Sequence, residues 1–117
     1  MNFRPKKSLG QNFLKNPRVI QKIIDTAELT GEELVVEVGP GMGVLTKELV
    51  KHAEHIIAIE KDKLLYEELR RVAFGYNNLT LIHGDALNIP PPTEPYMLVA
   101  NIPYYITGEI IRQFLGA

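Results

Sequence analysis

The sequence predicts an α/β fold in which strands and helices alternate along the chain, and three observations predict it. Residues 34–38 (LVVEV) form an apolar, β-branched run that Gly39, Gly41 and Gly43 break before a helical pattern begins, which reads as strand, tight loop and helix. A second apolar run at residues 55–59 (HIIAI) closes on Glu60, 21 residues beyond Gly39. Two more runs, at residues 79–83 (LTLIH) and 96–100 (YMLVA), follow at spacings that suit an open sheet.

Residues 1–15 (MNFRPKKSLGQNFLK) have neither helical nor strand periodicity and are predicted to be a basic N-terminal arm, anchored by Phe3, Leu9, Phe13 and Leu14. Asn16-Pro17 starts the first helix, a capping side chain followed by proline at the first helical position. Val19, Ile20, Ile23, Ile24 and Ala27 fall on one face of it, and Thr30-Gly31 is the predicted stop. After the glycines, Val44, Leu45, Leu49 and Val50 mark a second helix. Asp62 caps a third, whose predicted apolar stripe is Leu64, Leu65 and Leu69 and whose end falls near Gly75 or Asn77-Asn78. Residues 88–95 (NIPPPTEP) are a stiff loop, and the fourth strand is expected to be buried. Ile110, Ile111, Phe114 and Leu115 begin another amphipathic helix.

The chain has 117 residues, 45% hydrophobic and 23% charged, which suits one globular domain. With no cysteine, disulfides, thiolate zinc sites and cysteine nucleophiles are excluded. No run is long and apolar enough to span a membrane and no secretory pattern opens the chain, so a cytoplasmic location and no membrane partner are expected. The net charge of −1 hides an asymmetry: residues 1–24 hold Arg4, Lys6, Lys7, Lys15, Arg18 and Lys22 with no acid. Such an arm is an electrostatic footprint for nucleic acid, although solvated lysines near a terminus have the same composition.

The glycines are spaced G-x-G-x-G, with Val44 where the dinucleotide fingerprint would place its third glycine. Glu37, two residues before the loop, would repel a pyrophosphate and suit an ammonium or sulfonium charge. S-adenosylmethionine carries both. Glu60, at the end of the second strand, is placed to accept hydrogen bonds from the hydroxyls of an adenosine ribose, and Asp85 after the third strand from an adenine amino group. A turn cap is the competing reading of Asp85. The fourth strand delivers Asn101-Ile102-Pro103-Tyr104 to the same edge. An aromatic amine is a poor nucleophile because its lone pair is delocalised. Acceptors from the Asn101 side chain and the Pro103 carbonyl would favour a pyramidal nitrogen aimed at a methyl donor, and Tyr104 offers a face for a flipped-out base.

These segments resemble successive motifs of the ribosomal RNA adenine dimethyltransferase family: KKSLGQNFL at residues 6–14, EVGPGMGVLT at 37–46, IEKD at 59–62, HGDAL at 83–87 and ANIPYYIT at 100–107. The resemblance implies a Rossmann-like class I S-adenosylmethionine-dependent methyltransferase fold, with residues 16–117 as the N-terminal part of that domain, truncated after the fourth strand. It implies S-adenosylmethionine as cofactor, held by Asn12, Leu14, Gly39, Gly41, Glu60, Lys61, Asp85, Ala86 and Asn101, with Asn101, Pro103 and Tyr104 catalytic. Arg4, Lys6, Lys7 and Lys15 would meet the phosphates of small-subunit rRNA in a ribosomal subunit precursor, and the reaction would give dimethyladenosine. Three other readings stand beside it: a cofactor-binding fragment without turnover, a large-subunit rRNA methyltransferase of the macrolide-resistance type, and a methyltransferase for another planar amine. The fourth strand is expected to leave an apolar edge through which the isolated chain self-associates or loses stability.

Overall fold

In the computed structural model the described residues are 16–100, and they build a four-stranded parallel sheet with helices on one face. The elements in order are α1 (Pro17–Ala27), β1 (Leu34–Val38), α2 (Val44–Leu49), β2 (His55–Glu60), α3 (Lys63–Ala73), β3 (Leu79–His83), a single 3-10 turn (Ala86–Asn88) and β4 (Met97–Ala100). The strand order is β3-β2-β1-β4. The order reverses between β1 and β4, and the strand ends beside such a reversal are where open α/β sheets bind ligands.

The start of α1 is as the sequence predicts: the Asn16 side chain accepts the Arg18 N–H at 2.9 Å, and Pro17 occupies the first turn. Its end comes two residues earlier than Thr30, because Glu28 takes a left-handed backbone with φ of 52°. The Thr30 and Gly31 N–H groups instead donate to the Glu33 carboxylate at 2.9 and 3.2 Å, bonds that hold that carboxyl below its ordinary range.

Two apolar layers cover the sheet. Val35, Ile56 and Ala58 join Ile20, Ile24, Leu45 and Leu49 beneath the helices, while Val36, Val38 and Ile59 form the opposite layer with Ala86. The alternation follows from successive side chains of a strand pointing to opposite faces. Leu45 and Leu49 are wholly buried, each contributing about 1.5–3 kcal/mol to the layer.

Two expectations are corrected. Leu64 is 79% exposed rather than part of the α3 stripe. It lies five residues before the buried Leu69, on the far side of a helix that repeats every 3.6 residues, whereas Leu65 lies four before it and is half-buried. The fourth strand begins at Met97 rather than Tyr96, and all its residues are half-buried. Among the described residues its one neighbour is β1, so it is an edge.

Candidate functional site

The site is built by the loops that leave β1, β2 and β3, and the backbone ties their starts together. Gly39 N–H donates to the Ile59 carbonyl at 3.0 Å, and Gly84 N–H to the Glu60 carbonyl at 3.0 Å, so the strand ladders continue one residue past the ends of β1 and β3. Three strand tips thus share one rim. Gly39, Gly41, Glu60, Lys61, Asp85 and Ala86 all lie on it or just behind it.

The glycines have different tasks. Gly39, Gly41 and Gly43 have φ values of 75°, 60° and 81°, a region an L side chain enters only at a cost. A Cβ on Gly41 would meet nothing within 4 Å, so that stretch of backbone faces open space. A Cβ on Gly43 would stand 2.5 Å from Leu69 Cδ2, so Gly43 is there to let α3 pack against the loop.

Glu60 is 6% exposed and its carboxylate spans the rim: Oε1 accepts the Gly41 N–H at 3.0 Å and Oε2 the Asp62 N–H at 2.8 Å. Asp85 divides its two oxygens. Oδ1 caps the 3-10 turn by accepting the Leu87 N–H at 3.0 Å, and Oδ2 lies 3.6 Å from Lys61 Nζ. Lys61 comes from the tip of β2 and Asp85 from beyond β3, so an exposed lysine and a half-buried carboxylate bridge two strand ends. Ala86, 4% exposed, packs behind it. Beside them Tyr66 and His83 stack with ring centroids 5.0 Å apart.

Glu37 is not on the surface of the rim. It is wholly buried, its Oε1 accepts the Thr46 hydroxyl at 2.5 Å, and its Oε2 has no hydrogen-bond partner among the described residues. Burial pushes its carboxyl up to about 7, against the Thr46 bond, and the charge of Glu60 pushes the same way. The carboxyl that the sequence reads as suiting an ammonium or sulfonium charge therefore lies beneath the rim and not on its surface. In the sequence Thr46 is expected to face outward with Lys47, Glu48 and Lys51, and this is corrected: it is 2% exposed and turned onto Glu37. The available signal was a polar residue inside the apolar stripe of α2, beside Leu45 and nine residues after a strand carboxylate.

Asn12, Leu14, Asn101, Pro103 and Tyr104, with the arm residues Arg4, Lys6, Lys7 and Lys15, lie outside the described residues. Among the described residues no group of acids and histidines could hold a metal ion, and no helix is long and apolar enough to cross a membrane.

The family model for ribosomal RNA adenine dimethylase matches residues 2–117. The chain is 47% identical over 119 residues to ribosomal RNA small subunit methyltransferase A of Dehalococcoides mccartyi, covering 97% of this chain and 41% of that protein. With the protein of the same name from Listeria monocytogenes it shares 42% identity over 120 residues, covering 94% of this chain and 41% of the relative. It thus spans about two fifths of the length of these relatives. Among solved structures it is similar to the 23S rRNA methyltransferase ErmE, with a TM-score of 0.78 and 38% identity over 84% of this chain and 40% of that one. A dimethyladenosine transferase from Plasmodium falciparum gives a TM-score of 0.73 and 33% identity over 87% of this chain and 38% of the other.

Proposed function

The chain belongs to the ribosomal RNA adenine dimethylase family, and from that membership we propose that it transfers methyl groups from S-adenosylmethionine to the exocyclic amine of adenines in small-subunit rRNA, giving dimethyladenosine. The observation that carries this reading is the placing of two carboxylates, Glu60 and Asp85, at the ends of the adjacent strands β2 and β3, with an open Gly41 backbone bonded to Glu60.

The rim fits an adenosine-bearing cation. Glu60 supplies a carboxylate at the end of β2 for the ribose hydroxyls, and Asp85 Oδ2 is an acceptor for the adenine amine, flanked by Lys61 and Ala86. Gly39 and Gly41 let the methionine portion approach the backbone. Two nearby carboxyls, Glu37 and Glu60, favour positive charge there. When bound, S-adenosylmethionine supplies a methyl group on an electrophilic sulfonium. The chain's own part is to hold and orient. By the family's motifs, Asn12 and Leu14 would touch the cofactor from the arm, the Asn101 side chain and the Pro103 carbonyl would accept hydrogen bonds from the target amine, and Tyr104 would offer a face to the flipped base. The amine proton leaves to water, so no general base is required.

We also propose that Arg4, Lys6, Lys7 and Lys15 contact rRNA phosphates, and that the protein works in the cytoplasm, where ribosomal subunit precursors are its partners. The half-buried β4 and an apolar groove of about 480 Å³ between Val19, Ile23, Met97 and Val99 support pairing of the isolated chain with a second copy. A stable monomer in concentrated solution by sedimentation would refute that pairing.

The test of activity is incubation of the chain with labelled S-adenosylmethionine and, in parallel, undermethylated small and large ribosomal subunits. Label in dimethyladenosine supports the proposal. Label only in large subunits would support the macrolide-resistance reading, which the likeness to ErmE favours. Cofactor binding without transfer would mark a binding fragment.

A further inference from the structure

Two residues before the glycine loop, β1 carries a carboxyl group that water does not reach. Glu37 is 0% exposed, its Oε1 is engaged by Thr46, its Oε2 has no partner among the described residues, and the loop that would carry the cofactor begins two residues later. A buried carboxyl in this position responds to charge nearby more strongly than a solvated one, because little solvent screens it. The charged cofactor and its demethylated product differ at that point: one has a sulfonium, the other a neutral thioether.

Resting on the cofactor reading above, we infer that Glu37 distinguishes the sulfonium donor from the thioether product, releasing a proton when a cation is seated on the glycine loop and retaining it when the ligand sulfur is neutral. The proton passes to bulk water, and the carboxylate left behind attracts the sulfonium. This gives the site a preference for the loaded donor without a direct contact.

The surroundings favour such a response. Among the described residues, β2 brings Glu60 towards Glu37, and β4 brings no titratable side chain. On α2, Thr46 faces Glu37, Lys47 is exposed and Glu48 is paired with Lys51. On α1, Ile20 and Ile24 enter the core while Arg18, Lys22 and Asp25 are exposed. No described cation is therefore packed against Glu37 to hold it ionised beforehand. With its carboxyl pushed up to about 7, the change falls near neutral pH.

The experiment is calorimetry of the full chain with S-adenosylmethionine and with S-adenosylhomocysteine, in two buffers of different ionisation enthalpy, from pH 6 to 8. Wild type is expected to release a fraction of a proton with the sulfonium compound that Glu37→Gln does not release. Its affinity ratio for sulfonium over thioether should rise about threefold to tenfold more across that range than the ratio of the variant. Ionisation of the ligand's own amine is common to both proteins and cancels in that comparison. Thr46→Val retains the carboxyl and removes a hydrogen bond that favours its charged form, so the pH of half-maximal release should move upward. Equal proton release by wild type and Glu37→Gln, or no movement with Thr46→Val, overturns the inference. Failure of wild type to bind either ligand overturns the cofactor reading and this inference together.

Discussion

Glu60 Oε1 and the Gly41 N–H are 3.0 Å apart, so the carboxylate at the tip of β2 holds the loop that leaves β1. The same side chain takes the Asp62 N–H with its other oxygen, next to the cap of α3. One residue therefore fixes the spacing of two strand tips before any ligand arrives, and pre-organisation of this kind lowers the ordering cost of binding.

Replacing Glu60 by alanine leaves two backbone N–H groups without their charged acceptor. A loss of about 1.5–3 kcal/mol is expected for a hydrogen bond to a charged group in such a place, read by urea unfolding. Cofactor affinity should fall at least tenfold by equilibrium dialysis. Glu60→Gln, which retains one acceptor oxygen, should recover part of the stability and less of the affinity.

Stability should also depend on Glu37. Its carboxyl sits at about 7 in the folded chain against an ordinary value of 4.5. Below pH 4.5 both folded and unfolded chains hold the proton, and the group makes no pH-dependent contribution. As pH rises from 4.5 to 7 the unfolded chain loses its proton first, so the folded state binds more protons and stability falls; above 7 the full penalty is present. Glu37→Gln should thus be more stable than wild type at pH 8, by up to about 3 kcal/mol at about 1.4 kcal/mol per pH unit, and nearly equal at pH 4. Denaturation midpoints at the two pH values decide it.

Gly43→Ala should be costlier than Gly41→Ala. Both force alanine into a left-handed backbone, about 1–2 kcal/mol each, but only at Gly43 does the new methyl meet Leu69. A further 1–3 kcal/mol from overpacking is expected there. Combining Gly43→Ala with Leu69→Ala should therefore show a favourable coupling energy, while Gly41→Ala with Leu69→Ala should be additive. Thermal melts of the single and double variants provide both cycles.

That Leu69 contact illustrates what the sequence could and could not reveal. Strand positions, the cap residues Asn16 and Asp62, and the convergence of Glu60 and Asp85 were legible because each depends on local pattern and on where strands end. Leu69 lies 26 residues from Gly43, and Thr46 meets Glu37 only once α2 folds back over β1, so neither partnership leaves a local trace. Leu64 shows the limit of periodicity itself: adjacent leucines in a helix point about 100° apart, and pattern alone does not say which of the pair joins the buried face.

The two readings of Asp85 can be separated because they use different oxygens. Oδ1 accepts the Leu87 N–H and caps the turn, whereas Oδ2 faces Lys61 and the rim, where the adenine amine is proposed to bind. Asp85→Asn keeps a carbonyl oxygen for the cap, and the Leu87 N–H selects the amide orientation that supplies it. The remaining NH2 then points a donor at a site that needs an acceptor, and Lys61 loses its partner. An ion pair with an exposed lysine at 3.6 Å contributes about 1 kcal/mol or less, so Asp85→Asn should unfold within about 1 kcal/mol of wild type. Its affinity for S-adenosylmethionine should fall about tenfold or more, because two donors would face each other. Asp85→Ala should lose the affinity and, in addition, about 1 kcal/mol of stability from the vacated cap. Wild-type affinity in Asp85→Asn, measured by dialysis on the folded variant, would leave Asp85 as a turn cap and remove it from the adenine subsite.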